Sequence, residues 1–270
     1  MKLKASIIVA VLLATMAGTL GAHDLFLVLT SHFVAPGSTA KIRVINGTFS
    51  VSEGAVTRTR LRNIAVVANG ARQTLDTTAW ESRENESLLT VRVGEPGTYV
   101  VGASLAPSSI TLEGGDFTGY LREEGLTSIL RGRARRNETG ARAREQYSKH
   151  VKALVQVGDV RSADFDARLG YPAELVPVNN PYALRPGEAL RVLSMVDGRQ
   201  SAGETVIAGG RTRSGARIPQ QKVVSDANGV ARIRLTHRGR WYVKFIHMEA
   251  AASDSIDYES KWATLTFEVR

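Results

Sequence analysis

The sequence predicts a mainly β protein, two β-sandwich domains with a small helical insertion between them. Three observations carry that prediction. Short apolar–polar alternations, divided by Gly, Pro, Asn and Asp, fill most of the chain. The same punctuation recurs in the same order in both halves. Between the halves the alternation gives way to a stretch rich in Arg, Glu, Leu and Ala, residues that favour helix. With 270 residues, 43% of them hydrophobic, the chain is long enough to bury a core without covalent staples. It has no cysteine, which excludes disulfides, thiol chemistry, Cys-ligated zinc and iron–sulfur clusters.

Residues 1–22 read as a secretory signal peptide. Lys2 and Lys4 form a positive start, Ile7 to Leu13 an unbroken apolar run, and small residues lead to Ala22. Cleavage is expected after Ala22, with a cut after Gly21 as the rival, and the protein is expected in the periplasm. The formal charge of +9 loses two lysines on export.

The first sandwich is expected over residues 23–110. Leu25, Leu27 and Leu29 alternate in its first strand, and Ile42 and Val44 follow Pro36-Gly37 in a strand that closes at Asn46-Gly47. Leu89 to Val101 has the pattern of a hairpin pivoting on Glu95-Pro96-Gly97. The second sandwich, 170–270, repeats this plan. Pro186-Gly187 precedes a strand from Leu190 to Met195 that ends at Asp197-Gly198, and aligning Gly97 with Gly239 places Val91, Val93 and Tyr99 on Ile233, Leu235 and Trp241. Both modules are therefore expected to be Ig-like. A strand, an Asp226-to-Gly229 turn, a rising strand and a Gly-x-aromatic step also resemble the carboxypeptidase-regulatory or transthyretin-like sandwich.

The insertion, 111–169, is read as two or three helices broken at Gly125 and at Asn137–Gly140. The last is expected from about Ala141 to Val157, with Tyr147, Val151, Leu154 and Val155 on one stripe. Seven Arg and two Lys face four Glu between Leu121 and Lys152. No nucleic-acid motif or aromatic interleaving accompanies them, so the segment reads as a solvated helical face with acidic partners at i±3 and i±4.

No phosphate loop, dinucleotide fingerprint or nucleophile elbow is present, and the sequence gives no support for an enzyme or an organic cofactor. The five histidines are His23, His32, His150, His237 and His247, and no pair has local zinc spacing. His23 has a distinct chemistry: cleavage after Ala22 would give it a free amine beside its imidazole. Those two nitrogens suit Cu(II) or Ni(II) better than zinc. His247 ends the strand Trp241–Met248, beside Met248 and a loop that supplies Glu259. His32, nine residues after His23, could join either.

Several motifs then come together: Ala22-His23-Asp24-Leu25-Phe26, Glu145 to Lys149, Leu169-Gly170-Tyr171-Pro172, Asn180-Pro181-Tyr182, His247-Met248 and Tyr258 to Phe267. As a set they resemble domain-of-unknown-function family 4198, exported bacterial proteins associated with nickel or cobalt uptake. The resemblance implies a periplasmic metal-binding accessory protein, with a metal ion and a membrane metal transporter as partners. It points to His23-Asp24 and to His247-Met248 with Glu259. A structural or carbohydrate- or peptide-binding envelope module is the alternative, expected to show Trp80, Tyr120 or Tyr171 exposed in a groove.

Overall fold

A computed structural model describes residues 23–270, so the expected signal peptide over 1–22 and its expected cleavage positions lie outside the described residues. In chain order the N-terminal half holds β1 (Asp24–Val28), β2 (Phe33–Val34), β3 (Thr39–Gly47), β4 (Leu61–Ala68), β5 (Ala71–Thr74), β6 (Trp80–Ser82), β7 (Ser87–Arg92), β8 (Gly97–Leu105) and β9 (Ser108–Leu112). Two helices follow, α1 (Gly114–Glu124) and α2 (Thr127–Arg135), and then the long β10 (Ala143–Val157). The rest is β11 (Ala173–Pro177), β12 (Ala189–Val196), β13 (Arg199–Gln200), β14 (Thr205–Thr212), β15 (Arg217–Val224), β16 (Val230–Arg234), β17 (Gly239–Ala250) and β18 (Tyr258–Val269).

The strands form three sheets. A ten-stranded central sheet has the order β15-β14-β17-β18-β10-β8-β4-β5, with β2 and β9 also paired to β10. One four-stranded sheet, β1-β3-β7-β6, belongs to the N-terminal half, and another, β11-β12-β13 with β16 on β12, belongs to the C-terminal half. The chain is mainly β, as its alternation predicts. The two halves share a topology: β3 pairs β7 and β4 pairs β8 in one, as β12 pairs β16 and β14 pairs β17 in the other.

The halves meet where β10 runs parallel to β18, from Glu145 opposite Tyr258 to Ala153 opposite Thr266. Side-chain alternation then decides which layer lies where. Val151, Ala153 and Val155 of β10 pack with Leu25, Leu27, Ile42 and Val44 of the N-terminal sheet. Leu154 of β10, with Ala263, Leu265 and Phe267 of β18, packs against Leu175, Leu190 and Val192 of the C-terminal sheet. The two small sheets therefore cover opposite faces of the central one. The helical hairpin lies on the N-terminal sheet's face: Phe117, Tyr120 and Leu121, at helical spacing on α1, pack on Ile246, Met248, Tyr258 and Trp262. Gly125 ends α1 in the left-handed region at φ 73°, and a Cβ there would stand 2.7 Å from Thr205 Cγ2.

Three sequence expectations need correction. The segment expected as a helix over 141–157 is a strand paired on both sides. Its apolar residues happen to fall near helical spacing, but both faces of a central strand are covered, so alternation is not needed to bury them. Its charged residues find partners far away in sequence: Arg144 with Asp257, Lys152 with Glu174. α-Helix in the insertion is thus confined to Gly114–Arg135, with one short 3-10 turn at Ala163–Asp166. Likewise β7 and β8 do not form a hairpin. They pair into different sheets, and Glu95-Pro96-Gly97 carries the chain from one layer to the next. The basic segment's partners also differ from i±4 pairs. Arg142 reaches Glu113, Arg136 reaches Glu138, and Arg133 is buried with its guanidinium over the Phe117 ring.

Candidate binding cleft

β1 sends Leu25 and Leu27 into the core and turns Asp24, Phe26 and Val28 towards β17. On β17 the matching face carries Tyr242 and Lys244. Phe26, Phe49 and Tyr242 form a three-ring cluster with centroids 4.9 to 5.3 Å apart. Next to it the buried Lys244 ammonium lies 2.7 Å from Asp24 Oδ2 and 2.8 Å from Glu124 Oε1 at the end of α1. Burial works against that charge, yet the two carboxylates outweigh it and hold Lys244 above its ordinary pKa. Glu124 is pushed up, by burial first and by Asp24. The other oxygen of Asp24, Oδ1, is buried without a hydrogen-bond partner. Such an atom costs stability unless something fills its place.

A cleft of about 390 Å³ opens over this cluster, between the start of β1, the loop after β3, the end of α1 and the surface of β14, β15 and β17. His23 and Glu53 stand on its wall. His23 Nε2 lies 3.3 Å from Glu53 Oε2, and both side chains are more than a third exposed. The backbone of His23 is fixed from below: its carbonyl accepts from the Lys149 ammonium, which also lies 3.4 Å from Asn46 Oδ1 and over the rings of Tyr147 and Trp262. Burial brings the Lys149 pKa down to about 8. Deeper still, Glu145 Oε1 accepts from Ser260 and from Tyr120 at 3.2 Å, and burial pushes its carboxyl up.

The cleft brings His23 and Asp24 together and adds Glu53. It does not gather the other candidate ligands. His247 points to the opposite face of the central sheet, with Trp241, Val243 and Phe245, and its Nδ1 is 2.7 Å from Glu204 Oε1. Glu259 lies on β18 and not in the preceding loop, opposite Glu249 and two pairs along the ladder from His247–Lys261. Met248 faces the other way, into the apolar cluster under α1, where its sulfur is a packing atom. Because His247 and Met248 are adjacent on a strand, they cannot serve one ion. His32 is fully buried, its Nδ1 2.8 Å from the Leu154 carbonyl, and burial brings its pKa down to about 4. Among the described residues no cluster of three or more His, Cys, Asp or Glu is arranged as a preformed metal site. Trp80, Tyr120 and Tyr171 are buried; Tyr120 is among the residues lining the cleft, and the three do not cluster in an exposed groove.

Sequence reasoning missed Lys244, Glu124, Lys149 and Glu53. Lys244 did leave a signal: it interrupts the apolar run Trp241–Met248, and a lysine there must find an acid. Glu53 left none, because the loop after β3 gives no clue to what it faces.

The fold and cleft define a layered β-sandwich protein with a polar cleft at the seam between a small sheet and a helical hairpin. The chain belongs to the family described as Domain of unknown function (DUF4198), whose model matches residues 20–249. No curated protein matches the chain significantly.

Proposed function

We propose that this is an exported periplasmic accessory protein that binds a transition-metal ion of the Ni, Co or Cu class at the mouth of the cleft, for hand-over to a membrane metal transporter. The observation that supports the reading is the juxtaposition of the His23 imidazole with Glu53 at 3.3 Å, in a cleft that Asp24 also lines. Imidazole nitrogen plus carboxylate oxygen is a donor set for a divalent first-row ion. Cleavage after Ala22 would add the His23 amine, and a Cys-free chain has no thiolate to compete. In this reading Lys149 positions the ligand by gripping the His23 carbonyl, while His32, His247 and Met248 are structural.

The test begins with the intact mass of the exported protein, which fixes its first residue. Calorimetric titration of that protein with Ni(II), Co(II) and Cu(II) follows. His23→Ala is expected to weaken the tightest ion at least about 100-fold, a loss of roughly 2.7 kcal/mol. His247→Ala is expected to change it less than about threefold. No binding tighter than about 1 μM for any of the three ions would end the reading.

A further inference from the structure

The far wall of the cleft carries a feature that the metal reading does not use. Arg211 on β14 and Arg217 on β15 both line the cleft, and they sit directly opposite each other in the ladder. Like charges at such a pair repel and weaken the sheet. Neither guanidinium has a carboxylate at ion-pair distance among the described residues. Arg211 donates from Nε to Ser50 Oγ at 2.7 Å and, at the long distance of 3.5 Å, from Nη1 to the Gly215 carbonyl, while the residue lines the cleft. Arg217 is exposed.

The local backbone is built to make this pair. The ladder between β14 and β15 is in register up to Ala208–Gln221 and resumes at Gly210–Ile218, so Pro219 and Gln220 form a bulge against Gly209. The bulge turns Gln220 so that its amide donates to Tyr242 Oη at 2.7 Å. It also needs glycine: a Cβ on Gly210 would stand 2.1 Å from the Arg240 carbonyl oxygen, and one on Gly209 2.7 Å from Tyr242 Oη. Immediately after the bulge comes Arg211.

The cleft is therefore dipolar. Its β1 and α1 side carries Asp24, Glu53, Glu123 and Glu124 around the Lys244 ammonium that Asp24 and Glu124 share, its β14–β15 side two guanidinium groups with no carboxylate at ion-pair distance, and Phe49 and Tyr242 lie among its lining residues. We propose that the cleft binds a small zwitterion of the amino-acid type, its carboxylate clamped by Arg211 and Arg217 and its ammonium directed to the acidic side. Two planar N–H forks suit a carboxylate. The aromatic lining suits an organic body, and the four acids, which Lys244 only partly neutralises, disfavour a multiply charged inorganic anion. The volume fits a molecule of that size and not a folded partner.

This proposal does not require a metal, so its test uses protein stripped on a chelating resin and leaves the His23 reading untouched. The stripped protein is titrated by calorimetry with each of the twenty L-amino acids, with the methyl ester of any that binds, and with inorganic phosphate. At least one amino acid is expected to bind. Its methyl ester, lacking the carboxylate charge, and the Arg217→Gln protein are each expected to bind at least about tenfold more weakly. Arg217→Lys, which keeps the charge and loses the planar fork, should fall between. The idea is overturned if no amino acid binds tighter than about 1 mM, if the ester or Arg217→Gln binds as well as the parent, or if phosphate binds as tightly. Arg217 is exposed on the edge strand, so Arg217→Lys is expected to keep the parent's melting temperature and Arg217→Gln, which relieves the repulsion, to match or exceed it.

Discussion

Two buried lysines on the central sheet meet carboxylates on its opposite faces. On the C-terminal sheet's side, Lys152 of β10 forms an ion pair with Glu174 of β11. Glu174 also accepts from the backbone N–H groups of Leu169 and Tyr171 at 2.8 and 2.9 Å, and Lys152 donates to the Ala167 carbonyl at 3.2 Å. Burial alone would raise the Glu174 pKa, but Lys152 and those hydrogen bonds outweigh it and hold the carboxyl below its ordinary value. On the other face Lys244 meets Asp24 and Glu124, but there Asp24 keeps a bare oxygen and the group opens into a cleft. The first is a closed centre and the second an open one. The same residue types serve structure where the hydrogen-bond accounting closes, and are available for a ligand where it does not.

The sharpest way to break this contrast is to remove one acid from each centre. Glu174→Ala leaves Lys152 buried without a counter-charge and orphans two backbone N–H groups. The expected loss is about 3–5 kcal/mol in equilibrium urea unfolding. Asp24→Asn keeps the shape and leaves Glu124 to hold Lys244, so about 1 kcal/mol is expected. Equal losses from the two variants would show that the open centre is structural too.

The closed side carries a second buried group, His150, with Nδ1 2.9 Å from Ser104 Oγ and Nε2 3.1 Å from Ser148 Oγ. Burial brings its pKa from 6.5 down to about 4, so the native state holds it neutral. The unfolded chain takes up a proton below about pH 6.5, and the native one only near pH 4. The stability is therefore complete above pH 6.5 and is lost as the pH falls towards 4, amounting to about 3 kcal/mol. His150→Asn is expected to flatten the stability–pH curve in that window by up to about 1.4 kcal/mol per pH unit. A variant with the parent's slope would show that His150 is not the proton acceptor.

How much of this was readable in advance depends on where each residue finds its partner. The alternation of β17 was legible, because Trp241, Val243 and Phe245 pack on one sheet while Ile246 and Met248 pack under the hairpin. The turn punctuation and the duplicated plan were legible for the same local reason. β10 was not. Its Arg144, Lys149 and Lys152 are satisfied by Asp257, the His23 carbonyl and Glu174, and no window of neighbouring residues contains those partners. Of the candidate ligands, His23 and Asp24 could be placed because strand β1 begins there. His247 and Met248 looked like a pair in sequence, yet the strand's two-residue period sends them to opposite faces.

His247 gives the mildest test of the closed and open distinction, since it is paired but only partly covered. Its hydrogen bond to Glu204, a carboxylate that also accepts from Ser201 at 2.6 Å, raises its pKa against the opposing effect of burial. A raised value reverses the sign seen at His150. The contribution is fully present below the unfolded value near 6.5 and disappears as the pH rises through the higher native value. The stability gap between the parent and His247→Gln should therefore be largest in mildly acidic solution and close in alkaline solution, the opposite trend to His150→Asn. With the pair part-exposed, the gap is expected to be the smallest of those described. A gap that instead widens with rising pH would mean that neutral His247 is the favoured native form, and the imidazole would then be free to serve as a ligand after all.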